Sequence, residues 1–144
     1  MSSIYKWDGK NRNVTSLEQS KRLAELGLGM ESADYVYATN QDFVPKPEHI
    51  VSGGIPAWSL SRLLEIMPET ISSEEYKTIR GRKIEYYLAS WTINSYMYEN
   101  DIDDVWVDEN TPKRLVYVTG ESWLEAAVNL MCWLIENKYY VIPS

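Results

Sequence analysis

The side chains able to do chemistry in this sequence are few. There is one cysteine, Cys132, and one histidine, His49. A cysteine nucleophile needs a neighbouring base to hold it as thiolate. Cys132 instead sits in Met131-Cys132-Trp133-Leu134, the setting of an inert core thiol, and His49 falls in a distant proline-rich segment. One cysteine and one histidine also cannot assemble a zinc site of the usual kind. Carboxylates are more plentiful: Glu99, Asp101, Asp103, Asp104, Asp108 and Glu109 crowd one stretch. A calcium loop needs oxygen ligands at its first, third and fifth positions and glycine at the sixth. Counted from Asp101, the fifth and sixth positions are Val105 and Trp106, so the stretch reads as a solvated loop. Ser52-Gly53-Gly54 lacks the lysine of a phosphate loop, and no Gly-x-Ser-x-Gly elbow is present. The sequence therefore predicts a non-enzyme with no catalytic residue, cofactor or metal.

The elements that would position any surface are easier to read. Residues 1–14 form a polar arm, and residues 15–144 a single domain. Thr15-Ser16-Leu17-Glu18 is a capping box, with the Thr15 hydroxyl predicted to accept the Glu18 amide. The helix it opens runs to Leu26, pairs Glu18 with Arg22 on its outer face, and stops at Gly27. Tyr35–Ala38 reads as a strand, and residues 41–56 as a loop. A second helix runs from Trp58 or Ser59 to Met67, ended by Pro68. Residues 76–118 predict a meander: strands 76–79 and 82–88 around Arg80-Gly81, a third over 91–98, and a pair at 105–107 and 115–118. The basic run Lys77–Lys83 reads as an exposed hairpin turn.

Ser122-Trp123-Leu124-Glu125 opens the most informative element. From Trp123 to Asn137 only Glu125, Asn129 and Glu136 interrupt an apolar sequence, and these three share one narrow stripe. A helix apolar round most of its girth must be covered on several sides. It lies at the centre of the domain, or it also meets a second copy.

Composition narrows the class. The chain has 144 residues and is 44% hydrophobic, enough for one core. Its apolar runs fall short of a membrane span, the N-terminus lacks a signal peptide's apolar core, and a cytoplasmic location is expected. Residues 84–144 hold three basic and ten acidic side chains, a difference of −7 that accounts for the whole net charge. Such a surface repels phosphate backbones, so direct nucleic-acid binding is not expected. The aromatics are 11 Tyr, 6 Trp and 1 Phe, so nearly every ring carries a polar tip suited to half-buried positions.

The stretches Ser16–Leu28, Ala33-Asp34, Pro56–Leu60 with Leu63–Pro68, Leu124–Ala127 and Trp133–Asn137 resemble a group of small uncharacterised proteins of phages, prophages and other mobile elements, notably of gut Bacteroidetes and Firmicutes. The shared features are caps, helix stops and core stripes. The resemblance therefore implies a common fold and transfers no catalytic residue.

Together these readings predict an α+β domain: an antiparallel meander of about four or five strands, three helices on one side, the C-terminal helix central. The favoured function is protein–protein interaction by an accessory protein, with a protein partner or a second copy, through a surface including Trp91, Tyr96, Tyr98, Trp106, Trp123 and Trp133. One alternative is an acidic mimic of DNA that occupies a nucleic-acid-binding host protein. Another is a ligand-binding module or hydrolase with a cleft lined by Tyr86, Tyr87, Trp91, Tyr96 and Trp106; strand alternation turns Tyr86 and Tyr87 to opposite faces, so this reading calls for a deep pocket containing His49 and a buried carboxylate.

Overall fold

A computed structural model of the chain describes residues 13–37, 46–47, 54–90, 92–101 and 107–141. Helix α1 spans Leu17–Glu25, and its cap is one residue later than the sequence suggests. Ser16 accepts the Gln19 amide at 3.2 Å while the Gln19 side chain accepts the Ser16 amide at 2.9 Å. Thr15 is drawn inward instead: its hydroxyl meets Ser20 Oγ at 2.7 Å and accepts the Trp58 amide at 3.0 Å. Gly27 stops the helix at φ 104°. The expected Glu18–Arg22 pair is replaced by a longer reach, Arg22 Nη1 donating to Asn129 Oδ1 at 3.2 Å.

Strand β1 (Tyr35–Tyr37) lies between β2 (Lys46–Pro47) and β3 (Ile55–Ala57) in a small antiparallel sheet. Strand β2 and most of β3 fall in the stretch 41–56, which its prolines and Gly53-Gly54 mark in the sequence as a loop. Both strands are edges of this sheet, where proline is tolerated. Trp58, read as a helix start, is fully buried, and its Nε1 donates to Ser32 Oγ at 3.0 Å. Helix α2 (Leu60–Ile66) begins after it, with Ser59 Oγ accepting the Arg62 amide at 3.1 Å. Asp34 fixes that cap, its two carboxylate oxygens accepting the Ser59 amide at 2.9 Å and hydroxyl at 2.5 Å. Val14, placed by the sequence reading at the end of the polar arm, is buried and bridges to Ser59.

The larger sheet is a four-stranded antiparallel meander in the order β4 (Thr70–Lys77), β5 (Lys83–Ala89), β6 (Ser95–Glu99) and β7 (Arg114–Thr119). The β4–β5 turn is the basic run, closed by Thr78 N–H donating to Arg82 O at 2.7 Å with Gly81 at φ 82°. Val107 forms a bridge with Thr78; the rest of the predicted strand 105–107 lies outside the described residues.

Helix α3 (Trp123–Glu136) packs on β6 and β7 and is also met by α1 and α2. Eight of its fourteen residues are buried. Two of its three polar side chains do structural work. Glu125 Oε2 accepts the Glu121 amide at 2.6 Å, and Asn129 Nδ2 donates to Thr119 O at 2.9 Å while its Oδ1 receives Arg22. Most of the greasy helix is covered by elements of its own chain. The fold is the predicted α+β architecture, with the C-terminal helix packed against the sheet.

Candidate functional site

The meander presents two unlike faces. Toward α3 it sends Ile71, Ile84, Tyr86, Leu88, Tyr96, Tyr98, Val116 and Val118, all in one apolar cluster with the helix. The opposite, outer face follows from the register. One row across the four strands reads Thr70, Tyr87, Glu99, Arg114. The next reads Ala89, Met97, Tyr117, and Ser72 stands opposite Glu85. Met97 is buried, but Tyr87 and Tyr117 keep 42% and 43% of their surface exposed.

Both tyrosines are held in place. Tyr87 donates its hydroxyl to Glu85 Oε2 at 3.1 Å, two residues back on the same strand and so on the same face. That hydrogen bond, followed by the charge of the same carboxylate, raises the Tyr87 pKa above the ordinary 10.0. Tyr117 shares its hydroxyl with Thr92 Oγ1 at 3.3 Å, and Thr92 Oγ1 in turn contacts Ser95 Oγ. The guanidinium carbon of Arg114 stands 5.2 Å from the Tyr117 ring centre, within cation–π range. Hydrogen bonds from Thr92 and Ser95, then the Arg114 charge, lower the Tyr117 pKa.

Two of the surface residues expected from sequence are placed otherwise. Tyr98 is fully buried, donating its hydroxyl to Pro68 O at 2.5 Å, and Tyr96 is only 6% exposed. Neither can meet a partner, because both occupy the inner face of β6. Trp123 meets Tyr96 edge-on at 5.2 Å and is partly exposed at the start of α3. Trp133 is half-buried and stacks on Tyr139 at 5.2 Å. Trp91, Trp106 and His49 lie outside the described residues. The aromatic cleft is not formed by its described members: Tyr86 and Tyr96 belong to the core while Tyr87 faces out. Burial pushes the Cys132 thiol up, as an inert core cysteine requires.

The acidic stretch divides. Glu99 belongs to the outer face. Asp108 caps a turn, accepting the Asn110 amide at 2.9 Å, and with Glu109, Glu75, Lys77, Thr78, Ile79 and Val107 it borders an open hollow of about 570 Å³. Asp103 and Asp104 lie outside the described residues. Among the described residues no group of three or more His, Cys, Asp or Glu is gathered to hold a metal.

Arg114 and Tyr117 were not singled out from sequence. Strict alternation puts residues three apart on opposite faces. A bulge between Tyr98 and Glu99 shifts the β6–β7 register and brings Arg114 and Tyr117 to one face.

This combination defines an α+β domain with a polar–aromatic outer sheet face. No family model, curated protein or solved structure matches the chain.

Proposed function

We propose that the chain acts by binding another protein, and that the outer face of the meander is the binding surface. The observation that carries this is the pair of exposed, pre-oriented rings, Tyr87 and Tyr117, on a sheet whose other face is committed to the core. Rigid tyrosines give contact area at low entropic cost, and their polar tips tolerate water until a partner arrives. Two strands and their hydrogen bonds already fix both side chains, so little ordering is left for binding to impose. The resemblance to phage and mobile-element proteins supports an accessory role inside a bacterial host, in the cytoplasm.

The test is affinity capture from a gut Bacteroidetes or Firmicutes lysate with the native chain and with a Tyr87→Ala/Tyr117→Ala double variant. Expected is a partner held by the native chain and lost by the variant, with the variant's urea unfolding midpoint little changed. An identical captured set from a folded variant would refute the assignment.

A further inference from the structure

Resting on that reading, the same face also indicates which side chains a partner brings. Glu85 and Glu99 flank Tyr87, the first two residues away along β5, the second directly across on β6. Asp101, exposed, is close enough for its charge to be felt at the Tyr87 hydroxyl. Among the described residues the ion pairs are Arg62–Glu65 and Lys83–Glu74, so none of these three carboxylates is neutralised by one. The cations nearest them are engaged elsewhere: Arg114, opposite Glu99, lies over the Tyr117 ring, and Lys83, two residues before Glu85, pairs with Glu74.

The face also contains a finished example of the contact it invites. Arg114 covers Tyr117 at 5.2 Å, while Tyr87, one row away with two carboxylates beside it, has no such guanidinium among the described residues. A planar, weakly hydrated guanidinium can stack on a ring and give its N–H groups to carboxylates at the ring's edge, which a compact ammonium does poorly.

We infer that the partner presents an arginine-rich segment, with one guanidinium lying on Tyr87 between the carboxylates of Glu85 and Glu99. Charge complementarity selects the class, since an anionic segment or nucleic acid would be repelled by the same groups.

The probe is a fluorescein-labelled peptide of Arg-Gly repeats, compared with its Lys-for-Arg counterpart by anisotropy on the full chain. Expected is tighter binding of the arginine peptide, by about two- to fivefold, the range of one exposed cation–π contact. Tyr87→Ala should remove that preference while leaving residual charge attraction. Glu85→Gln/Glu99→Gln should weaken both peptides and flatten the dependence on salt. Equal affinity for the two peptides, or a preference that survives Tyr87→Ala, overturns the inference. If the arginine peptide fails to bind yet Tyr87→Ala/Tyr117→Ala still loses the captured partner, the partner chemistry is wrong and the binding face stands. If capture is also unaffected, both fail.

Discussion

Truncating Leu130 to alanine probes the claim on which the architecture rests. Leu130 is fully buried on α3, a helix packed by β6, β7, α1 and α2. Removing the side chain forfeits its transfer free energy and leaves a cavity, together about 2–5 kcal/mol for Leu→Ala in cores. Collapse is hard where four elements hold the helix, so the loss belongs in the upper part of that range, about 3–5 kcal/mol. For a chain of this length that lowers Tm by roughly 10–15 °C. Urea unfolding followed by far-UV circular dichroism measures it directly, and an unchanged m-value shows that the folded state has not loosened. Running the titration at two protein concentrations well apart decides between cover from within and cover by a second copy. A midpoint independent of concentration is expected, whereas a dimer sealed through α3 makes it rise with concentration. A loss below about 1 kcal/mol, typical of a surface site, refutes the central placement of the helix.

Other outcomes follow from single contacts. A methyl group at Gly120 would come within 2.5 Å of the Ala126 backbone nitrogen and 2.9 Å of the Glu125 carbonyl carbon. Backbone cannot swing aside, so Gly120→Ala should destabilise by about 1–3 kcal/mol, read as a lower urea midpoint; an unchanged midpoint would show that β7 and α3 are not held this close. Stability should also fall in alkali. Burial raises the Tyr86 pKa to about 12, and raises Tyr37 and Tyr98 further, from an ordinary 10.0. Their contribution is therefore complete below pH 10. Above it the unfolded chain ionises first, and each group removes about 1.4 kcal/mol per pH unit until its own folded pKa is reached. Absorbance at 295 nm with parallel circular dichroism should show these three ionising only as the fold is lost, after the exposed Tyr117. All tyrosines titrating together near pH 10 with the fold intact would contradict the burial.

Where the sequence spoke clearly, one kind of residue had one job. Helix α3 announced itself because its apolar run could be satisfied only by cover, and Ser122 and Asn137 bracket it as its cap residues. Legibility failed where a residue's role depended on something far along the chain. Thr70–Glu75 contains one apolar residue, Ile71, too little for a period of two, yet the pairing with β5 makes it strand and buries Ser73 beside Ile71. Thr15 and Ser16 are equally good caps by type, and the choice falls to Ser16 because Thr15 is needed by the Trp58 amide. Tyr96 and Tyr98 looked like surface aromatics by composition. The arrival of α3 on β6 places them inside, and no local pattern contains that fact.

The outer face was hidden for a related reason, and the cause is the bulge that also serves the core. Across β6 and β7, Tyr96 pairs with Val118 and Tyr98 with Val116, which keeps both tyrosines against α3. Continued in regular register, Glu99 would then face Leu115, and an apolar side chain would stand on the outer face. The shift lets Glu99 meet Arg114 instead and leaves Leu115 packed against the core cluster. One displaced residue thus retains a leucine for the interior and brings a guanidinium within reach of Tyr117. The same geometry leaves Glu99 beside Tyr87 without an ion pair among the described residues, because Arg114 is drawn toward the ring. Core packing and surface chemistry are set by a single irregularity. Restoring regular pairing there should therefore disturb stability and partner binding together.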